Sequence, residues 1–407
     1  MNQLSKMMLA AVASVAIAAP AFAWDFGASG SSTASFNVTS TKANKDAANA
    51  YAGGSGVSSS ASSLKLSSSH TDGTKSLSLS YTLDWDGNLD ETIALSGSTT
   101  VGGWTASGDI SYNRDTVGCY ATDNGSGTTT AATSCGTTGD AQGGEDRTAV
   151  TLTDGTMTIK LGEASHLSNQ NVSSNSAAGG SVSFDAADDD IGVGAFVGAF
   201  HGVSLGYKIS DTMSATVAYQ ATSDQNDLCG AQEFQDSDAN ASTTGTGFGF
   251  NGTFGTISVG ATMCSASTKD GGTAAGAAGG STSTSSSTMG VGVKMDLGDI
   301  DPFISFGTYS AVGAVSKSGV AGIGNELGLT YALGNDTVVF YYGSVSEIST
   351  TTGTAAEAVV ISGMELGYNT TVGPASLKVG YGTQSTVNGA SDGRAYSDLE
   401  VALSYSF

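Results

Sequence analysis

Leu399-Glu400-Val401-Ala402-Leu403-Ser404-Tyr405-Ser406-Phe407 closes the chain. Its apolar positions, Leu399, Val401, Leu403, Tyr405 and Phe407, are separated by charged, small or hydroxyl residues. A helix repeats its apolar residues every three or four positions. A period of two belongs to a strand with one apolar and one polar face. The same period recurs upstream in Leu77, Leu79, Tyr81, Leu83 and Trp85, in Met157, Ile159 and Leu161, and in Leu327, Leu329, Tyr331 and Leu333. A β-sandwich gives the same alternation, so connection lengths must decide the architecture.

Tight-turn chemistry stands at Asp72-Gly73, Gly102-Gly103, Asp154-Gly155, Ser210-Asp211-Thr212, Phe254-Gly255, Gly298 to Pro302, Gly334-Asn335-Asp336 and Val372-Gly373-Pro374. These sequences join antiparallel strands. Longer polar stretches lie between them, at about 41–58, 114–146, 163–190, 222–243, 265–286, 312–323, 348–358 and 384–394. Short and long connections alternate, as in outer-membrane barrels with short periplasmic turns and long external loops. Counted literally, they give about eighteen strands. Gly87-Asn88-Leu89-Asp90 is short where a long connection belongs; as a local hairpin it leaves about sixteen. We therefore expect an all-β, transmembrane antiparallel barrel of 16 strands, with 18 the alternative. Either width leaves an aqueous channel.

Composition agrees. The chain has 407 residues, 58 Gly and 3 Pro, and 13% are charged, against about 25% in ordinary soluble domains. Lys6, the apolar run from Met7 to Ala19, Pro20 and Ala21-Phe22-Ala23 form a secretory signal peptide with cleavage after Ala23. Residues 1–23 are then the signal peptide and 24–407 the pore domain. The formal net charge is −23, and −24 once Lys6 leaves with the signal. Such acidity opposes nucleic acid and anionic headgroups as simple electrostatic partners. Divalent cations bridge such a surface to lipopolysaccharide.

Lys65, Lys160, Lys208, Lys294, Lys378, Glu326, Glu365, Asp398 and Glu400 stand between apolar neighbours and are expected on the lumen side. Lys160, Lys208, Lys294 and Lys378 are the candidates for a basic wall. Trp104, Tyr112, Phe303, Tyr309 and the strand tyrosines Tyr207, Tyr219, Tyr331, Tyr342, Tyr368, Tyr381 and Tyr405 are candidates for aromatic girdles. No inward aromatic series stands out. Cys119, Cys135, Cys229 and Cys264 lack metal spacing, and in an oxidising compartment an even count suggests bridges. Cys119 with Cys135 would close one loop, and Cys229 with Cys264 would join two. His70, His166 and His201 are dispersed. No nucleophile elbow or Ser/His/Asp order appears, which argues against an enzyme.

The terminal strand resembles the assembly signal of outer-membrane barrels, with Phe407 and Tyr405 as the aromatics read by the insertion machinery. Thr153-Asp154-Gly155-Thr156-Met157-Thr158-Ile159-Lys160-Leu161-Gly162-Glu163-Ala164 resembles a stretch of general bacterial porins, especially the alphaproteobacterial type. From Thr156 to Phe407 about twelve strands remain, matching that family from its fifth strand onward; before Thr156 the count exceeds it by a hairpin. The resemblance implies a homotrimer of water-filled pores in the outer membrane of a Gram-negative bacterium. It also implies a third loop, here about Glu163 to Asp190, folded into the barrel as the constriction. Asp185, Asp188, Asp189 and Asp190, with Glu163 at its base, would form an acidic eyelet that concentrates cations. The same acids read alternatively as a Ca²⁺ site or as a solvated loop; no other cofactor is expected. The family sets a basic cluster opposite its acids, and this chain departs from that, having only Arg114, Arg147 and Arg394 as arginines.

Passive diffusion of small hydrophilic solutes and ions, with cations preferred, is therefore the function expected. A secreted or surface β-rich adhesin shares the Gly/Ser/Thr composition and acidity but does not need Phe407. A substrate-specific channel of about eighteen strands is the other alternative.

Overall fold

The computed structural model describes residues 25–42, 52–85, 89–116, 144–164, 166–167, 200–222, 242–269, 283–313, 319–350, 357–388 and 394–407. Residues 1–23 and the cleavage position Ala23 lie outside them. The described chain is all strand and turn: β1 (Asp25–Lys42), β2 (Ala52–Asp72), β3 (Lys75–Trp85), β4 (Leu89–Val101), β5 (Trp104–Thr116), β6 (Gly144–Thr153), β7 (Met157–Ala164), β8 (Phe200–Ser210) and β9 (Met213–Thr222). Then follow β10 (Ser242–Phe254), β11 (Ile257–Lys269), β12 (Ser283–Met295), β13 (Ile300–Gly313), β14 (Gly319–Leu333), β15 (Asp336–Thr350), β16 (Glu357–Val372), β17 (Ala375–Asn388) and β18 (Arg394–Ser406). β1 pairs with both β2 and β18, so the eighteen-stranded antiparallel sheet closes on itself. Closure leaves the sheet without a free edge, the condition for crossing a bilayer with strands.

The expected count of 16 is corrected to 18. Gly87 to Asp90 does not join a local hairpin: β3 and β4 pair over their whole length, from Lys75↔Thr99 to Trp85↔Leu89. Ser76 with Ser98, at 2.7 Å, and Ser78 with Ser96, at 2.6 Å, add hydroxyl hydrogen bonds across the pair. The connection is short because the two strands are full members of the ladder. Twelve strands follow Thr156, as expected.

Every expected tight turn falls between two strands. Gly73, Gly102, Gly103, Gly155, Gly255, Gly298, Gly334 and Gly373 have φ between 58° and 88° there, which glycine adopts without a Cβ clash. Pro302, expected in a turn, belongs to β13, and the turn before it ends at Asp299. The Ser/Thr-rich stretch 265–269, expected in a connection, continues β11 as far as Lys269.

The strands pack into two units. One comprises residues up to 34, 59–154 and 404–407; the other comprises 35–58 and 155–403. In the first, Phe407 and Gly30 exchange both backbone hydrogen bonds, at 2.8 and 2.9 Å, and Thr33 Oγ1 lies 2.7 Å from Ser404 Oγ. In the second, β7 to β18 form an unbroken run of antiparallel pairs.

Exposure alternates along β11 to β14 and separates the faces there. On β11, Met263 is 54% exposed and Cys264 5%. Large apolar residues hold the outer positions nearest the short turns: Leu161, Leu205, Val217, Phe254, Ile304, Leu366 and Leu403 are exposed. About eight residues from each short turn, at about 3.3 Å each and tilted roughly 40°, make a band about 20 Å high. Beyond it the outer positions turn to Ser, as in Ser285 and Ser287 of β12. Among the described residues no helix is long and apolar enough to cross a membrane.

Candidate functional site

The inner face is polar where the outer is apolar. Lys160, Lys208, Lys294 and Lys378 all take inner positions, as do Glu326, Glu365, Asp398 and Glu400. The four lysines stand on β7, β8, β12 and β17, each within three residues of its strand's short-turn end. They form one level rather than one wall. Each keeps its own surroundings: Lys208 Nζ meets Asp211 Oδ1 at 2.7 Å, Lys294 Nζ meets Asp301 Oδ2 at 3.8 Å, and Lys378 stands opposite Asn369. Asp211 lies in the exposed turn after β8, and its carboxyl is held below the ordinary aspartate value by the hydrogen bond from Lys208 and then by that residue's charge.

Glu326 is 1% exposed. Its Oε2 accepts a 2.7 Å hydrogen bond from Ser305 Oγ, directly across the β13–β14 register. A buried carboxylate is tolerated when its oxygens are satisfied in this way. One register step away, Phe303 and Tyr341 also point inward, buried, their rings stacked with centroids 6.4 Å apart. Gly328 lies between them in register, and its missing Cβ is what lets the Phe303 ring lie flat on the wall. Phe303 is therefore not a girdle residue. Phe303 and Tyr341 are thus inward aromatics, a stacked pair rather than a series. Tyr207, Tyr219, Tyr342, Tyr368, Tyr381 and Tyr405 do face outward and are exposed.

The connection after β7 enters the inner face at once. Lys160, Ser204, Ala218, Gly247 and Cys264 are successive register partners across β7 to β11. Leu167 lies on this row, 2% exposed, clustered with Ala218, Cys264 and Ala266. The β10 positions beneath it are Gly245, Gly247 and Gly249; a Cβ on Gly247 would collide with the Leu167 side chain, and one on Gly249 would touch it at 3.5 Å. Gly247 and Gly249 thus cut a notch that one leucine fills.

His166 fixes the same stub by hydrogen bonds. Its Nε2 lies 2.9 Å from the Gly162 carbonyl, which can only accept. Nε2 therefore carries the proton, and in the neutral ring Nδ1 accepts from Ser204 Oγ at 2.8 Å. Below this anchor, toward the short turns, lies a polar concavity of about 580 Å³ lined in part by Lys160, Lys208, Ser204, Asn251 and Thr253. His166 is far from the other histidines in sequence, and only the fold brings it to Ser204.

Cys264 is corrected from a loop to the inner wall of β11, beside Leu167. It is disulfide-bonded. Cys119, Cys135 and Cys229 lie outside the described residues, so the partner does too. Asp185, Asp188, Asp189 and Asp190 also lie outside them. Glu163 is in β7, opposite His201 in register. Among the described residues no group of three or more His, Cys, Asp or Glu side chains is placed to hold a metal.

These features define the class by fold: a closed barrel with an apolar outer band, a charged inner wall and a connection turned inward. No protein-family model matches the chain, and no curated protein matches it. Solved structures do. The chain is similar to OpdQ of Pseudomonas aeruginosa, with a TM-score of 0.54 and 12% identity, over 94% of this chain and 98% of that one. It is similar to an anion-selective porin from Comamonas acidovorans, with a TM-score of 0.51 and 13% identity, over 94% and 100%. It is similar to the outer-membrane protein OmpT of Vibrio cholerae in its trimer form, with a TM-score of 0.50 and 12% identity, over 94% and 99%. The fold is that of Gram-negative outer-membrane porins.

Proposed function

We propose that this chain is exported by its signal peptide and inserted in the outer membrane of a Gram-negative bacterium. There it forms a water-filled channel for passive diffusion of small hydrophilic solutes and ions. The observation that carries this reading is the Leu167 anchor on the inner wall of an eighteen-stranded closed sheet. A barrel of that width is open, and a connection bound inside it narrows the opening. The acids Glu163, Asp185, Asp188, Asp189 and Asp190 would line the narrowing and favour cations, in keeping with the net charge of −23. That the Comamonas neighbour is anion-selective makes selectivity the point to test. Assembly as a homotrimer is part of the proposal, supported by the trimer form of OmpT.

The test is planar-bilayer recording with purified full-length protein. Stepwise conductance with a cation-favouring reversal potential in a salt gradient is expected. No steps would end the channel reading; an anion-favouring potential would end the acidic-eyelet reading alone.

A second reading, a substrate-specific channel, has its own observation. The Phe303–Tyr341 stack beside Lys294 and Glu365 in register puts an apolar face between opposite charges. Block of the current by one solute class at low concentration, lost in Tyr341→Ala, would favour it.

A further inference from the structure

The outer face of the first unit carries a groove that begins at the short turns and ends inside the apolar band. Leu77, Gly97, Gly108 and Val150 are successive register partners across β3 to β6, so two bare positions stand between two larger side chains. Thr99 and Ala106 continue the floor toward the turns, and the exposed pair Leu95 and Ile110 stands at its upper end. The groove has a volume of about 790 Å³, within the range of about 300–1,000 Å³ for small-molecule sites. Its turn-side end is polar. Asp72 and Lys75 are register partners beside the β2–β3 turn, both exposed, and both line the groove with His70.

The chain's own packing does not ask for these two glycines. A Cβ on Gly97 would meet Ser76 O at 3.4 Å and Leu77 Cδ1 at 3.6 Å, and one on Gly108 would meet only Ala149 O at 3.8 Å. Both have ordinary negative φ, so turn geometry does not explain them either. Counted from each strand's own short turn, the same height on the second unit carries Leu161, Val217, Val291, Ile304, Leu329 and Phe340. The depth of the groove is that of one leaflet. Leu95 and Ile110 stand six residues from the strand ends at Val101 and Trp104, which is about 15 Å at about 3.3 Å each and a tilt of roughly 40°. Half of a hydrocarbon core of about 30 Å is the same distance.

We propose that this groove holds one zwitterionic phospholipid of the leaflet on the short-turn side, its phosphate on Lys75, its ammonium on Asp72 and its acyl chains over Gly97 and Gly108. The inference rests on the membrane-spanning reading above. Acyl chains alone do not select the site, because the surrounding lipid is as apolar as the groove. The polar end does. Neighbouring charges of both signs match a headgroup that carries both, and charge-assisted hydrogen bonds from an ammonium to phosphate are among the strong ones. A lipid with a net negative headgroup would meet Lys75 but would be repelled by Asp72. The bare floor adds close van der Waals contact along the chains, which a side chain at Gly97 or Gly108 would exclude.

The experiment is native mass spectrometry of the full-length protein in detergent, supplied with phosphatidylethanolamine or with phosphatidylglycerol at equal concentration, with bilayer conductance measured in parallel. One phosphatidylethanolamine per chain is expected to survive the collisional activation that strips phosphatidylglycerol. Asp72→Lys is expected to reverse that preference. Gly97→Leu with Gly108→Leu fills the groove and is expected to lower the retained lipid several-fold while the barrel still conducts. Ala261→Leu makes the same kind of change on the outer face of β11 and should retain lipid as the wild type does. Equal retention of the two lipids by the wild type, or full retention by the double glycine variant, overturns the proposal. A photo-crosslinking residue at Leu77 tests it without the glycine changes: a phospholipid adduct is expected, and an adduct to protein alone overturns it. Loss of conductance in every sample would remove the channel reading and leave the lipid result standing.

Discussion

Leu167 occupies the space above Gly247 that any side chain there would claim. This one relationship holds the start of the third long connection, His166-Leu167, to the inner wall, so it predicts a reciprocal pair of variants. Leu167→Ala removes a leucine that is 2% exposed, at a cost of about 2–5 kcal/mol for a buried leucine. Gly247→Val expels the same leucine from the other side. Both are expected to raise single-channel conductance and current noise, while the folded barrel still migrates as a heat-modifiable band. If the connection does not narrow the channel, conductance will be unchanged in both.

His166 makes a weaker contribution to the same anchor. Loss of a neutral hydrogen bond costs about 1 kcal/mol. His166→Ala is therefore expected to add noise without the full conductance change of Leu167→Ala, and Ser204→Ala to do less still, because the Gly162 bond remains. Single-channel records of the three variants give the order.

Much of this was legible in the chain and some was not, for identifiable reasons. Alternation such as Leu327, Leu329, Tyr331 and Leu333 reads directly as a strand, because each strand faces two media. The turn glycines read directly, because positive φ restricts the choice of residue. The strand number did not, because Gly87 to Asp90 looks local when its strands' long-range pairing is unseen. The loop anchor was hidden more deeply. Gly247, Ala218 and Cys264 are far apart in sequence and meet only through register. Nothing in the stretch His166-Leu167 marks it, and alternate glycines in a Gly-rich chain carry no signal alone. Cys264 was misplaced because strands that rise beyond the apolar band become Ser/Thr-rich and resemble connections. For the acids at 185–190, sequence remains the guide.

Cys264 gives a chemical prediction. Its disulfide joins the wall beside Leu167. Non-reducing peptide mapping is expected to link the Cys264 peptide to that of Cys229, leaving Cys119 with Cys135. Reduction of the folded protein by a phosphine, or Cys264→Ser, is expected to change conductance through the Leu167 anchor. A Cys264 link to Cys119 or Cys135 would refute the pairing, and unchanged conductance would refute the coupling.

Asp211 gives a pH prediction of limited size. Its folded pKa lies below the unfolded one, so the ion pair's contribution is present above the ordinary aspartate range. It is lost as pH falls through the lowered folded value. The pair is exposed, and screening keeps its effect on stability small. The clean readout is the carboxyl titration itself, followed by NMR. Lys208→Gln is expected to move the Asp211 midpoint back up, and an unmoved midpoint would show that Lys208 is not the cause.

Phe407 closes the sheet on Gly30 through two backbone hydrogen bonds, and its ring lies over the glycine. A Cβ on Gly30 would also come within 2.8 Å of the Ser63 carbonyl. Both facts bear on assembly, and they separate two roles of the terminal aromatic. Phe407→Ala keeps the backbone pair but uncovers Gly30 and breaks the stack with Tyr405, whose ring centroid is 6.2 Å away. Gly30→Val keeps the aromatic but obstructs the seam. If Phe407 serves only as a signal to the insertion machinery, Phe407→Ala will lower insertion in cells yet refold into detergent micelles like the wild type, and Gly30→Val will not resemble it. The seam geometry predicts otherwise. Both variants should refold in lower yield in vitro, measured as the fraction shifting on heating, with Gly30→Val the more severe because its clash is with backbone.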